Sequence, residues 1–251
     1  MPLFWLALSF LTTIPAKQIP YIPGGLGKSS TLFPLIGFII GSLVLGSMWL
    51  TELVLADPIV ALIGLLVWVL LTGGLHLDGL ADCCDGLLGA APADKRLDIL
   101  KDPRTGSFAV IGLILALGLK GTAIYVILET GSSNWGWLPF LLAPVLARFL
   151  ILPTAIQPQA RPGGMGSDFA TSITKQIIGM ATILPLMLIA TGFVIGEPAK
   201  TIAALIFAGL GTAWWSYLAR TRIGGVTGDV YGAVVETSEI LILLGFCITI
   251  Y

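Results

Sequence analysis

Three aspartates lie at helical spacing in the segment 76–106, which holds six of the fourteen acidic residues. Asp78, Asp82 and Asp85 occupy positions i, i+4 and i+7, so a helix presents all three carboxylates on one face. Carboxylates this close repel one another unless a cation lies among them. Oxygen ligands of this kind suit Mg²⁺, which proteins hold with one or two carboxylates and the phosphate oxygens of a substrate. We therefore predict a Mg²⁺ site at these aspartates and a phosphorylated substrate.

The same segment carries the basic residues that a phosphate requires. Lys101 and Arg104 follow the aspartates and are predicted to neutralise phosphate charge that the metal does not reach. Asp94 and Asp98 are interpreted as ordinary solvent-exposed charges. His76, the only histidine of the chain, is interpreted as a capping or interfacial residue rather than a metal ligand.

A second polar segment lies near the end of the chain, where the glycine-rich stretch 224–228 leads into three acidic residues. Asp229, Glu236 and Glu239 are spaced i, i+7 and i+10, so they share one face of a helix that begins near residue 228. Backbone N–H groups at such a helix start favour an anion. This arrangement favours a substrate site beside Asp229. Substrate contacts are predicted for Thr227, Gly228, Glu236 and Glu239.

Two basic residues are predicted to lie inside the membrane. Arg148 is about 14 Å from the cytoplasmic end of its predicted span at ~1.5 Å per residue, and Lys120 lies deeper in its own span. An ionised side chain at such a depth needs a partner. We predict that Arg148 faces the bundle interior, pairs with Glu236 or Glu239 and contributes to substrate binding. For Lys120 there is a second possibility, in which the long side chain extends outward and places its ammonium group at the membrane surface.

A third polar segment, 159–168, is rich in glycine and carries Arg161. Its composition suits a flexible loop that covers a substrate, and it suits a plain connector equally well. We predict a substrate contact for Arg161.

The rest of the chain is strongly apolar. Of 251 residues, 56% are hydrophobic and only 11% are charged, and the mean hydropathy is +0.97, whereas soluble domains have about a quarter of their residues charged. Uncharged runs of about 20 residues are long enough to cross a bilayer. The sequence predicts an all-α, polytopic membrane protein with a single catalytic domain, 1–251, and a short N-terminal apolar segment, 1–15, of open placement. About seven transmembrane helices are expected, at 31–51, 58–77, 107–128, 137–157, 177–196, 201–219 and 237–251.

The basic residues predict the orientation of these helices. The connections 16–30, 76–106, 158–176 and 219–236 carry ten lysines and arginines, and the alternate connections carry only Lys200. The positive-inside rule places the basic set in the cytoplasm. We therefore expect a multi-pass protein of the cell membrane with its active site at the cytoplasmic face. A net charge of -1 gives no basic surface for nucleic acid, and no oligomeric state is predicted.

Several motifs together carry a family resemblance. They are His76-Leu-Asp-Gly-Leu-Ala-Asp-x-x-Asp-Gly86, Lys101-Asp-x-Arg-x-Gly106 and Gly225-x-Thr-Gly-Asp-x-x-Gly-Ala-x-x-Glu236-x-x-Glu239, with the ranges 10–15, 33–37 and, more loosely, 160–166. This set resembles the cobalamin synthase family, also called adenosylcobinamide-GDP ribazoletransferases. The resemblance implies that α-ribazole, or its 5′-phosphate, is joined to adenosylcobinamide-GDP with release of GMP and with a requirement for Mg²⁺.

The resemblance also implies residue roles. Asp78, Asp82 and Asp85 are expected to hold Mg²⁺ against the pyrophosphate, and Lys101 and Arg104 are expected to stabilise the charge that develops on GMP. The proton of the attacking ribose hydroxyl would pass to one of the three aspartates or to Asp229. The catalytic residues that the resemblance implies are therefore Asp82, Lys101, Arg104 and Asp229.

Two other classes of protein share part of this pattern. The spacing of Asp78 and Asp82 also suits an intramembrane prenyltransferase that uses Mg²⁺, although the second acidic segment lacks the matching aspartate-rich motif. A secondary transporter is able to use intramembrane charges such as Lys120, Arg148 and Glu239 for coupling. No pair of interrupted helices in corresponding halves of the sequence supports that alternative.

Overall fold

The computed structural model describes residues 2–20, 22–130, 136–161 and 165–249, with the side chains of 165, 167 and 168 left aside. This part of the chain is helical, as the sequence predicts. The α-helices are α1 (Pro2–Leu11), α2 (Gly25–Ser29), α3 (Phe33–Glu52), α4 (Asp57–Thr72), α5 (Leu75–Cys83), α6 (Arg96–Ile99), α7 (Ser107–Thr130), α8 (Leu138–Ala155), α9 (Met165–Thr171), α10 (Lys175–Val194), α11 (Pro198–Ile223) and α12 (Gly228–Phe246). A π-helical turn, Cys84–Leu88, extends α5.

Five helices among these residues are long and apolar enough to cross a membrane: α2 continued by α3, α7, α8, α10 and α11. A sixth crossing results if α4 and the segment Leu75–Leu88, which meet at 90°, count as one broken span. The prediction of a polytopic helical protein is therefore confirmed. Among the described residues the structure has five or six candidate spans where the sequence predicts about seven, and two regions account for the difference.

The predicted span 58–77 is interrupted by two glycines. Gly73 and Gly74 have φ values of 60° and 71°, a left-handed conformation that glycine adopts without steric penalty. α4 therefore ends before them and α5 leaves in a new direction, carrying the first group of aspartates away from the α4 axis. From the sequence alone, one continuous span is predicted here, because the glycine pair lies within an apolar run.

The predicted span 237–251 is the second half of a longer helix, α12, which starts at Gly228 and carries three acidic residues. Residues 250 and 251 lie outside the described part of the chain. α12 packs against α5, α7, α8 and α11, and most of its side chains are buried. Its acidic residues are tolerated because the surrounding helices, rather than lipid, contact this helix.

The outer helices have the opposite character. Large apolar side chains are exposed along α4, α7, α10 and α11, among them Leu62, Ile114, Ile183 and Leu210. Exposed apolar surface of this extent suits a lipid environment and would be unfavourable in water. The bundle thus has an apolar outer surface, and its interior is an apolar core that encloses a small set of buried charged residues around α12.

Candidate active site

A cavity of about 410 Å³ lies between α1, α5, α9 and the start of α12. One part of its wall is polar and is formed by His76, Asp78, Gln159, Arg161, Thr227 and Asp229. The other part is apolar or aromatic and includes Phe10, Leu75, Ile151, Phe169 and Tyr231. A volume in the range of about 300–1,000 Å³ is typical of small-molecule sites, as is an apolar wall with a few polar groups.

Close packing of α5 on α12 brings the two polar segments of the sequence together. A Cβ atom on Gly79 would lie 2.8 Å from the backbone oxygen of Asp229 and 3.1 Å from the Cα of Gly232. The two backbones therefore approach within a distance that only glycine permits. As a result, Asp78 and Asp229 line the same cavity although they are far apart in the chain.

The first turn of α12 holds Asp229 in place. Thr227 donates a hydrogen bond from its hydroxyl to Asp229 Oδ2 at 3.1 Å, and Arg161 contributes a favourable charge to the same carboxylate. Gly228 is exposed at this helix start. Free backbone N–H groups at a helix N-terminus suit an anion, so the wall combines a carboxylate with an anion-binding helix end.

Asp82 lies beside this wall and is half-buried. Its acidic neighbours are Asp229, Asp78 and Asp85, in decreasing order of their effect on it. None of these four carboxylates takes part in an ion pair with the described residues. No group of three or more His, Cys, Asp or Glu in the described ranges has the geometry to hold a metal by itself. Among the described residues, these carboxylates therefore carry excess negative charge that no ion pair neutralises, and they do not form a complete metal cage.

Asp85 has a structural partner that the sequence analysis did not predict. Its Oδ2 accepts a hydrogen bond from the backbone N–H of Gly106 at 2.6 Å, and its Oδ1 accepts one from Ala109 at 2.9 Å. Both N–H groups belong to the beginning of α7, where intrahelical acceptors are absent. Asp85 therefore caps α7 and ties the end of α5 to it.

Lys101 and Arg104 lie in the segment after α6, are exposed, and are not part of the cavity wall. The Arg104 guanidinium donates hydrogen bonds to both carboxylate oxygens of Asp102, the shortest at 2.6 Å. These bonds, together with one from the Arg104 backbone, hold the pKa of Asp102 at about 2, below its ordinary value of 3.8. Both basic residues therefore lie on an accessible segment. Their roles in stabilising phosphate charge stay predictions.

The predicted loop 159–168 lies partly outside the described residues, because 162–164 are not described and the side chain of Asp168 is left aside. Arg161 lines the cavity. One of its Nη atoms donates to the backbone oxygen of Leu97. That contact links the cavity wall to α6.

A buried ionic cluster occupies the interior of the bundle. Lys120 donates to Glu236 at 2.9 Å and also to Glu239, and Arg148 donates to Glu239. Trp68 adds a hydrogen bond from Nε1 to Glu239 Oε1 at 3.2 Å, and its ring lies 4.4 Å below the Lys120 ammonium. Two positive and two negative charges compensate one another in this cluster.

The contacts in this cluster test the predictions made for Arg148 and Lys120. The predicted pairing of Arg148 with Glu239 is confirmed. Outward snorkelling of Lys120 is wrong: the residue is only 1% exposed, because two glutamates inside the bundle bind its ammonium. None of the predicted substrate-binding residues Arg148, Glu236 and Glu239 lines the cavity, and their substrate-binding roles stay predictions.

Sequence reasoning missed the aromatic part of the wall. The rings of Phe10, Phe169 and Tyr231 line the cavity. The buried ring of Phe33 lies between those of Phe10 and Phe169, and successive centroids along the row of four rings are 5.8 to 5.9 Å apart. Tyr231 also donates from its hydroxyl to Gln159 Oε1 at 3.0 Å. Phe10 and Phe33 begin two of the ranges that carry the family resemblance, but these residues come from distant parts of the chain, so no local pattern predicts that their rings meet. His76, set aside above as a cap or interfacial residue, also lines the cavity and is buried.

The fold and the cavity define a polytopic helical membrane protein with a carboxylate-lined site at one end of its bundle. Residues 3–247 match the family described as Cobalamin-5-phosphate synthase. The chain belongs to this family.

Individual relatives agree over nearly their full length. The chain is 37% identical over 250 residues to the adenosylcobinamide-GDP ribazoletransferase of Pseudomonas syringae pv. syringae strain B728a, covering 96% of this chain and 97% of the relative. It is 36% identical to the protein of the same name from Pseudomonas putida strain W619, with 98% of each chain covered. No solved structure matches the chain.

Proposed function

We propose that the cavity between α5 and α12 is where this chain performs the ribazole transfer of its family, late in cobalamin synthesis. The activity is supported by the family match over residues 3–247 and by relatives named adenosylcobinamide-GDP ribazoletransferase. In this reaction a ribose hydroxyl of α-ribazole, or of its 5′-phosphate, attacks the phosphorus attached to the corrinoid arm. The bond from that phosphorus to the oxygen bridging it to GMP breaks, and GMP leaves with that oxygen.

The donor set fits Mg²⁺ held jointly by protein and substrate. Asp78 and Asp82 on α5 and Asp229 on α12 are neighbouring carboxylates without a basic ion-pair partner among the described residues. Mg²⁺ is typically bound by one or two carboxylates together with phosphate oxygens and water, so a protein cage is not required. We assign Asp78 and Asp82 as the carboxylates that would hold it. Asp85, which the sequence predicts as a third ligand, accepts hydrogen bonds from the start of α7 instead. When bound, Mg²⁺ supplies positive charge to the phosphate oxygens.

The chain's own groups position the reactants. The N–H groups at the start of α12 and the Arg161 guanidinium bind phosphate oxygens, because both are donors on the cavity wall. Asp229, oriented by Thr227, accepts the proton of the attacking hydroxyl. Lys101 and Arg104 stabilise the negative charge on the leaving GMP from the accessible segment after α6.

The site opens at the cytoplasmic face in this proposal. The cavity wall is formed by the start of α5, by the segment around residues 159–161 and by the start of α12. All of these belong to or border connections that carry excess lysine and arginine, which remain in the cytoplasm under the positive-inside rule.

The deciding experiment measures GMP release by the purified chain in liposomes. We expect release only when adenosylcobinamide-GDP, α-ribazole and Mg²⁺ are all present, and none when any one is omitted. GMP release without α-ribazole would indicate simple hydrolysis and would contradict the transfer. Uptake of substrate without turnover would favour the transporter alternative.

A further inference from the structure

Unpaired buried atoms concentrate between the cavity and the ionic cluster. In the described part of the chain, four buried side-chain atoms have no hydrogen-bond partner, and three of them belong to His76 and Arg148. They are His76 Nδ1 and the Nε and Nη2 atoms of Arg148. His76 is only 3% exposed, yet it is one of the residues that line the cavity. Buried polar atoms without partners are uncommon in native proteins, and each one needs a physical explanation.

The unpaired atoms are chemically complementary. Arg148 uses Nη1 to donate to Glu239, which leaves N–H donors on Nε and Nη2 unused. A neutral imidazole has one nitrogen that accepts and one that donates. The His76 backbone packs against Gly232 on α12, and Arg148 binds Glu239 on the same helix. The spare donors and the spare acceptor therefore both lie beside α12.

We propose that His76 is a substrate-contacting residue of the transferase site. Arg148 donates to His76 Nδ1 through one bridging water, and this link keeps the ring proton on Nε2. The Nε2–H group then donates to a phosphate oxygen of the substrate in the cavity. The inference rests on the proposed function, and it connects the buried ionic cluster to the chemistry: the cluster holds Arg148, and Arg148 sets the tautomer of His76.

Amide substitutions distinguish the two ring nitrogens. The Gln side-chain amide reaches the position of Nε2, and the shorter Asn amide reaches the position of Nδ1. For GMP release we expect His76→Gln to retain at least about tenfold more activity than His76→Asn or His76→Ala, since a hydrogen bond to a charged group is worth about this factor. Equal or greater activity in His76→Asn, or near wild-type activity in His76→Ala, would overturn the proposal, because the substrate would not need a donor at Nε2.

A spectroscopic measurement keeps the inference testable if the variants fold poorly. The chain contains a single histidine, so ¹⁵N-histidine labelling yields signals from His76 alone. Near neutral pH we expect the neutral tautomer with its proton on Nε2, and we expect Arg148→Met to reduce the population of that tautomer. A proton on Nδ1 in the wild type would refute the proposal. Wild-type chain that releases no GMP would instead refute the proposed function, which the tautomer measurement does not test.

Discussion

Gly79 on α5 and Gly232 on α12 face each other so closely that a Cβ on either residue would lie 3.1 Å from the Cα of the other. This contact between two backbones sets the distance between the helices that carry Asp78 and Asp229. The carboxylates of two remote motifs therefore reach one cavity because two glycines have no side chains. The position of the site depends on this packing as much as on the acidic residues themselves.

Alanine at this crossing is expected to impair activity. Gly79→Ala would place a methyl group 2.8 Å from the backbone oxygen of Asp229, so α5 must move away from α12. GMP release should fall by at least about tenfold, as misplacement of reacting groups by about an ångström reduces rates strongly. Gly118→Ala on α7 is the matched control, since nothing lies within 4 Å of its added Cβ. Equal activity of the two variants would argue against this packing.

Neutralising Asp82 tests the shared metal site. Asp82→Asn removes one negative charge beside Asp78 and Asp229, so we expect Mg²⁺-dependent GMP release to fall about a hundredfold or more, with a higher Mg²⁺ concentration needed for half-maximal rate. The control is Asp94→Asn, which removes the same charge from an exposed position and should leave both quantities unchanged. An unaltered Mg²⁺ dependence in Asp82→Asn would remove this residue from the site.

Asp85→Asn separates a capping role from a metal-binding role. Asparagine retains one acceptor oxygen and is a good helix cap, so the bond to Gly106 or Ala109 is partly preserved. If Asp85 mainly caps α7, Asp85→Asn should retain most of the GMP release activity. Asp85→Ala, which removes both acceptor oxygens, should have a lower melting temperature. We expect this pattern in melting curves and GMP release. Complete inactivity of a stably folded Asp85→Asn protein would instead favour direct metal binding.

Removing one charge from the buried cluster should destabilise the fold. Glu239→Gln leaves two cations facing one anion inside the bundle, and an unpaired buried charge typically costs about 3–5 kcal/mol. The partly exposed pair of Glu197 with Lys200, 3.1 Å apart, offers the control: Glu197→Gln should cost less than about 1 kcal/mol. Thermal unfolding in detergent measures both.

A second substitution in the same cluster tests charge compensation. Lys120→Met added to Glu239→Gln restores equal numbers of positive and negative charges, so the double variant should be more stable than the sum of the single effects. Strict additivity would contradict electrostatic coupling between these residues.

Arg104 is expected to act on the leaving group without contributing to folding. Arg104→Gln should lower GMP release by at least about tenfold with an unchanged melting temperature, because the side chain is exposed. Asp102→Asn frees Arg104 from its pair and should not lower the rate. Equal losses in the two variants would show that the pair, and not the arginine, is required.

The pH dependence of the same pair follows from its pKa. The pKa of Asp102 is about 2, below its ordinary value of 3.8, so the pair is fully formed above the ordinary value. It is lost as the pH falls through about 2. Near neutral pH, Asp102 is therefore fully ionised. The pH profiles of GMP release by the wild type and by Asp102→Asn should have the same inflections in this range.

Much of the molecule is predictable from the chain alone, for local reasons. Helical spacing identified Asp78, Asp82 and Asp85 as members of one face, and long apolar runs predicted α3, α7, α8, α10 and α11 closely. These signals are contained in windows of about 20 residues, where helical periodicity and hydropathy operate. The family motifs are likewise short and were identified without coordinates.

The tertiary structure decided which of these residues meet. Arg148 and Glu239 are 91 residues apart, and Trp68 and Glu239 are 171 apart, so no local pattern specifies their contacts. The bend at two left-handed glycines turned one predicted span into two helices. Packing around α12 gave His76 a place on the cavity wall. Sequence composition determined that this chain is a membrane protein with acidic motifs; helix packing determined which carboxylates, aromatic rings and cations form one site, because those contacts exist only after distant helices assemble.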